Sequence, residues 1–532
     1  MSHSNYIPDM KQVGLMLGLA LCLSACNKDF LDKNPQDSYS NSSLWSSEND
    51  ALSALNGCYS GWEDGYNTVY MDCASDNAYG QYYWEGYTYY GNGSITPSSP
   101  SAQNRWSYST IQRCNWFLEN IDPTPMGDDL KSRFKAEARF LRAYQYFTMS
   151  QLYGDVPLVT KSVSAAEANV VTRAAKADVQ AFVLSELTAI APLLPVKYTG
   201  GDIGRITRGA ALSLKARLEL YMGKYADAAT DASTVMTLGY TLFPSYSDLF
   251  RIQNENNSEV ILDIQYKEND VSNGYLGVMP SSSFGGWSSI DPTQDIVDAY
   301  ETKTGKLITD PSSGYNAEDP YNNRDPRLNA SVVCPGQLYE GKYFNSIEST
   351  SADFYNGGNN SLTGYSVKKF TSHLSDYADM WNTGLNAIVI RYAEILLTYA
   401  EAKIESGVID ETVYQAIDAV RTRAGMPKTD RTVYKDQASL RQLVRRERRV
   451  ELAFEGLRWY DIQRWKVGPE TIGKTVYGVR LGKVDNATGK LTLTGDHLKV
   501  EERTFDPEKN YLWPVPQKEM DINKSLVQNP KY

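Results

Sequence analysis

The chain has 532 residues, with 53 Lys and Arg against 64 Asp and Glu and a formal net charge of -11. That balance excludes a general nucleic-acid binder, which needs a basic field to neutralise phosphates. With 42% hydrophobic and 22% charged residues, the composition also excludes large-scale disorder. Tyrosine outnumbers phenylalanine 38 to 14, and an aromatic with a polar tip suits half-wet surfaces more than sealed interiors.

Residues 13–23, VGLMLGLALCL, form an uncharged apolar run of signal-peptide length, too short to cross a bilayer. Lys11 supplies the positive flank, and Asp9 is out of place ahead of it, which makes Met10 the expected translation start. The signal peptide is expected over residues 1–25. Leu23-Ser24-Ala25-Cys26 then resembles a bacterial lipobox, which implies lipid attachment at Cys26; more than one acyl chain makes such an anchor stable. The polar, turn-rich residues 26–43 read as a tether. No other stretch approaches the ~20 apolar residues of a membrane-spanning helix. The mature chain is therefore expected to be anchored to a membrane by lipid rather than to span it. Cys58, Cys73, Cys114 and Cys334 contain no CxxC spacing, which argues against a zinc cluster and leaves disulfides and buried thiols both open.

Helical periodicity begins near Leu44 and is strong in residues 132–159, where Phe134, Ala138, Leu141, Tyr144 or Gln145, Thr148 and Leu152 trace one face before Gly154 and Pro157. Residues 211–236 read as two helices separated by Gly223-Lys224, with small alanines at 216, 228, 229 and 232. The plan recurs in 391–427, where Tyr392, Ile395, Leu396, Tyr399 and Ala402 form a stripe. Such recurrence is the mark of tetratricopeptide-type hairpins. The predicted fold is mainly all-α: a superhelix of helical pairs near 105–155, 170–240, 385–425 and 437–466, within one body over 44–532. Two regions differ. Residues 59–106 hold nine tyrosines between Tyr59 and Tyr90, and 250–385 are rich in Asn, Gly, Ser and Asp. Both read as long ligand loops with a few short strands.

Gly468–Thr475 matches the G-x-x-x-x-G-K-[ST] phosphate-loop pattern, but a helix-like segment precedes it and the strand-like 475–484 follows, the reverse of the arrangement that cradles phosphate. It reads as a chance match. The seven arginines between Arg441 and Trp465 are interleaved with Glu447, Glu451, Glu455 and Asp461 and read as a structural ion-pair network.

Several segments together resemble the SusD-like (RagB/SusD) lipoproteins: Cys26 with FLDKNPQ after it, FKAEARFLRAYQYFTMSQLYGDVPLV, RYAEILLTYAEA, AIDAVRTRAGMP, LVRRERRVELAFEGLRWYDIQRW and the closing LWPVPQKEMDINKSLVQNPKY. The resemblance is weakest between about 255 and 385. It implies four tetratricopeptide-like pairs decorated by loops. It also implies a lipid-anchored, cell-surface location on the outer membrane, a SusC-like TonB-dependent transporter as partner and oligosaccharide as the usual cargo. Oligopeptide cargo, or a surface adhesin without transport, are the alternatives.

The cluster GQYYWEGYTYYGNG gives that expectation a physical form. A pyranose has an apolar C–H face that a flat aromatic can cover, and a hydroxyl rim that polar groups can bond. The expected substrate-binding residues are Trp84, Trp287, Tyr83, Tyr82, Tyr89, Asn77 and Trp381. Tyr82, Trp84, Tyr87 and Tyr89 are expected along one side of an extended segment. Tyr144, Tyr146, Tyr221, Tyr225, Tyr392 and Tyr399 are assigned to helix packing. Catalysis has little support: only His373 and His497 follow the signal segment, and HExxH, GxSxG and EF-hand patterns are missing from the sequence. No catalytic residue and no cofactor is expected. Residues 319–329, DPYNNRDPRLN, hold oxygen donors for a structural calcium but read first as a polar turn.

Overall fold

The computed structural model describes residues 45–100 and 105–532; the signal segment, Cys26 and the 26–43 tether lie outside them. The helices Glu48–Tyr59, Ser109–Asn120 and Asp128–Tyr153 pack together, and the chain then adds Lys176–Ile190, Arg208–Tyr221 and Tyr225–Met236 in succession. The next helix in this array, Tyr392–Glu405, packs on Tyr225–Met236 although some 155 residues of chain intervene. It pairs in turn with Glu411–Arg423 and Gln437–Glu451. The expected superhelix of helical pairs is thus present, with the 237–391 excursion inserted between two of its hairpins.

The local reasons are legible. Every residue of the predicted 134–152 face is buried except Gln145, which is half-buried. Gly154, at φ +75°, ends that helix, and Gly223 (φ +74°) turns the second hairpin, a conformation that disfavours residues with a Cβ. Thr207, Asp410 and Asp436 cap their helices by accepting a backbone N–H. Tyr144 and Tyr146 are sealed in the core, while Tyr221, Tyr225, Tyr392 and Tyr399 pack half-buried against it. The four cysteines 58, 73, 114 and 334 are buried free thiols. Among the described residues no helix is long and apolar enough to cross a membrane.

The arginine-rich segment is a buried ion-pair lattice. Arg391 bonds Glu259 (2.7 Å), Glu451 (2.6 Å) and Glu455 (2.7 Å), and Lys369 reaches Glu455 at 2.5 Å. Arg327 links Asp325, Glu447 and Glu451, and Arg421 bridges Glu447 to Glu301. Burial pushes the Glu451 carboxyl up, but Arg423, Arg391 and Arg327 outweigh it and hold it far below the usual carboxylate range. Such a lattice adds little net stability, yet removing one member strands buried charge. It fixes the excursion, through Glu259, Glu301 and Arg327, to the helices 437–451 and 411–423.

The phosphate-loop match is accidental in structure as well. Gly468–Thr471 is a single helical turn that follows the helix Arg458–Trp465 and leads into the strand Thr475–Val484, and Lys474 is engaged by Asp295 at 2.6 Å.

Two expectations need correcting. Residues 59–106 are not a loop over their described part: short helices at Gly65–Tyr70 and Tyr87–Gly91 and 3-10 turns at Met71–Ala74 and Tyr83–Glu85 run through it, and 73–80 are buried. Nor do Tyr82 to Tyr89 form an extended segment. Gly86, at φ +88°, breaks the chain between the 83–85 turn and the next helix, so Tyr87 turns inward and stacks on Tyr70 at 5.2 Å.

Candidate functional site

A short antiparallel pair builds the site. Residues 78–80 pair with 290–292, matching Tyr79 with Asp291 and Gly80 with Ile290, and the backbone N–H of Gln81 extends the contact to the Ser289 carbonyl at 3.1 Å. This brings the 82–89 aromatics beside Trp287, about 200 residues away in sequence.

The rings then organise themselves. Tyr82 stacks on Trp84 with centroids 4.4 Å apart, and Tyr83 lies 5.7 Å from Tyr89. Trp287 and Trp381 sit 4.8 Å apart, tilted by 51°. The Tyr82 hydroxyl has Asn359 Oδ1 at 2.8 Å and the Trp287 carbonyl at 3.0 Å, either of which it can donate to. Trp84 is 70% exposed, Tyr83 53% and Trp287 46%, large values for aromatics held in place by neighbours. The segments 81–89, 282–289, 353–360 and 379–382 therefore form one open aromatic platform.

Its support is rigid. The Trp287 N–H donates to the Gly277 carbonyl (2.9 Å), and Ser288 adopts the left-handed region at φ +49°, its hydroxyl donating to Asp291 Oδ1 at 3.0 Å. Trp381 donates its indole N–H to the Gly285 carbonyl (3.3 Å). Its ring lies on Gly277, where a Cβ would come within 2.4 Å of it. Beneath the platform, burial raises the Asp291 carboxyl to about 8 against the bonds from Leu362 and Ser288. Burial likewise raises Glu85, which accepts from Tyr70 and Ser289, both at 2.7 Å. Both carboxyls are engaged in holding the platform together.

Of the residues expected from sequence, Tyr82, Tyr83, Trp84, Tyr89, Trp287 and Trp381 meet here. Asn77 does not. It is fully buried and its side-chain carbonyl accepts from Arg449 at 2.9 Å, so it belongs to the packing under the site. Asn359 is a site residue that the sequence does not point to. Asn359 lies in the NGGNN run, whose composition marked only a loop; its bond to Tyr82 has no local signature.

A separate cavity of about 630 Å³ is lined by Tyr59, Trp62, Tyr66, Tyr266 and polar groups, and shares no residue with the platform. Of its three acidic members, Glu63, Asp64 and Asp263, the first is clamped by Arg105 at 2.5 Å. A stacking surface is open by nature and needs no enclosing cavity.

The family model described as "SusD family" matches residues 256–532, and one described as "Starch-binding associating with outer membrane" matches residues 29–220. The first spans the 256–385 stretch in which the sequence resemblance was weakest. A SusD-like carbohydrate-binding protein from Bacteroides fragilis superposes with a TM-score of 0.83 at 30% identity, covering 91% of this chain and 100% of its own. A second SusD-like protein from the same organism gives a TM-score of 0.80 at 31% identity over 94% of this chain and 100% of its own. The starch-binding protein SusD of Bacteroides thetaiotaomicron is 25% identical over 82% of this chain and 80% of its own. With a matched model over more than half its length and structural relatives at 30% and 31% identity over more than nine-tenths of it, the chain belongs to the SusD family.

Proposed function

We propose that this protein is a surface lipoprotein, anchored through Cys26 in the outer membrane, that captures oligosaccharide on the Tyr82–Trp84–Trp287–Trp381 platform and delivers it to a SusC-like TonB-dependent transporter. The observation that carries the reading is the platform itself: aromatic faces held by backbone and side-chain bonds yet turned to solvent. Apolar ring faces in that state have an unmet partner, and the C–H face of a sugar supplies one. The starch-binding and carbohydrate-binding names of the relatives support the same chemistry. The role needs no bond-making step. The carboxyls at the platform are tied into its scaffold, Asp291 by Ser288 and Leu362, Glu85 by Ser289, Asp353 by Ser281 and Asp379 by the Trp381 backbone N–H, which supports binding over hydrolysis.

A glycan array followed by calorimetry tests the cargo. Saturable binding of a neutral oligosaccharide is expected, whereas binding confined to peptides would replace the glycan reading with an oligopeptide one. Co-purification from membranes of a large β-barrel protein tests delivery; its absence under conditions that retain the anchor would leave capture without transport. Mass analysis of the mature N-terminus, with Cys26→Ala as control, tests the lipid.

A further inference from the structure

A cavity of about 430 Å³ opens where the ends of the helices Asp128–Tyr153, Arg208–Tyr221 and Arg458–Trp465 meet the start of Lys176–Ile190 and the C-terminal segment. It shares no residue with the aromatic platform. In a chain of net charge -11, this cavity is lined by Lys176, Lys466, Lys509 and Arg464. Arg464 is neutralised by Glu401 (2.6 Å) and Asp461 (2.8 Å). The three lysine ammonium groups make no salt bridge among the described residues; Lys466 rests over the Tyr511 ring at 4.2 Å and Lys509 over Tyr532 at 4.7 Å. The carboxylates at this face are already engaged. Asp155 accepts the Lys176 backbone N–H at 2.8 Å, and Glu508 pairs with Lys531 at 2.6 Å.

Two further lining groups are unpartnered donors. Gln151 is only 3% exposed and its Nε2 has no hydrogen-bond partner, and the Tyr221 hydroxyl is buried without one. Orphaned buried polar groups are rare in native proteins and call for an explanation. The neighbouring Gln463 amide is fixed by donating its N–H groups to the carbonyls of Gln151 (2.7 Å) and Tyr511 (2.6 Å), which leaves its Oε1 as one acceptor in the lining. The cavity thus presents three lysine ammonium groups and two buried donors.

We propose that this cavity is an oxyanion site that takes a small molecule bearing a phosphate or carboxylate group, with Lys176 and Lys466 supplying charge and Gln151 and Tyr221 donating to its oxygens. Burial and then the charge of Lys466 lower the Lys176 ammonium to about 8, and burial lowers Lys466 as well. A bound anion relieves both.

The test is thermal shift and calorimetry on the mature chain with sodium phosphate, and in a second arm sodium glucuronate, each against sodium chloride at matched ionic strength. A saturable rise in melting temperature beyond the chloride control is expected, and the arm that saturates at lower concentration tells phosphate from carboxylate chemistry. The double variant Lys176→Gln, Lys466→Gln is expected to weaken binding at least tenfold. Gln151→Leu is expected to weaken it severalfold without destabilising the unliganded protein. Lys524→Gln, which removes an exposed lysine outside the cavity, leaves it unchanged. Should the double variant not fold, the single variants Lys176→Gln and Lys466→Gln read the same charges one at a time with less disturbance. No response to either anion beyond chloride, or an undiminished response in the lysine variants, overturns the proposal. Glycan binding persists in these variants, so this outcome is separable from the platform's.

Discussion

Replacing Trp84 by alanine separates ligand contact from stability. Trp84 is 70% exposed, so only about three-tenths of a side chain of roughly 250 Å² is covered, chiefly by Tyr82. At about 25 cal/mol per Å² that cover is worth at most ~2 kcal/mol, and less against a realistic unfolded chain. Tyr82 itself remains tied to Asn359. The expected loss of stability is therefore about 1 kcal/mol. On the ligand side, a sugar that covers some 80 Å² of the free ring face gains about 2 kcal/mol, so its loss raises Kd roughly 30-fold. Trp513, 1% exposed and stacked on Tyr90 at 3.7 Å, provides the contrast: Trp513→Ala costs about 3–5 kcal/mol. The assay is calorimetric titration with the oligosaccharide that binds wild type, together with urea unfolding of each variant. The reasoning fails if Kd changes less than threefold in both Trp84→Ala and Trp287→Ala, or if Trp84→Ala destabilises as much as Trp513→Ala.

Other outcomes follow from the supports. Arg391→Met removes the cation shared by Glu259, Glu451 and Glu455 and leaves only Arg423, Arg327 and Lys369 to balance them, and urea unfolding is expected to register a loss of about 3–5 kcal/mol; a loss below about 1 kcal/mol contradicts the lattice. Gly277→Ala displaces the Trp381 ring, so tryptophan fluorescence shifts and glycan affinity falls, whereas an unchanged spectrum and affinity would separate Trp381 from the site. Asp291 titrates near 8 when folded but near 4 in the unfolded chain. Across that window the folded state keeps a proton that the unfolded state has released, so stability falls as pH rises from about 4 to about 8. Asp291→Asn is expected to flatten this decline in melting temperature, and parallel profiles for variant and wild type would exclude Asp291 as its source.

Much of the scaffold was written locally. A 3.6-residue apolar period marks the helices 128–153, 208–221, 225–236 and 392–405, and Gly154 and Gly223 mark where they stop, because these signals act within a turn or two of chain. The arginine and glutamate spacing in 441–465 likewise announced an ion-pair network. It could not announce that Glu259, Glu301 and Arg327, more than 100 residues upstream, complete it.

The platform shows the limit most clearly. Composition nominated tryptophans and tyrosines in 59–106, but Trp62 is 5% exposed and Trp84 70% within the same stretch. Nothing local separates them. Trp84 faces solvent because the 78–80 strand pairs with 290–292 and sets its turn beside Trp287, and Asn77 is withdrawn because Arg449, 372 residues away, takes its carbonyl. Sequence by itself determined which segments are helical, where they end and what kind of side chain the site would use. Which of those side chains meet, and which reach solvent, was decided by pairings across hundreds of residues, whose complementarity exists only once the helical array has brought the excursion back onto itself.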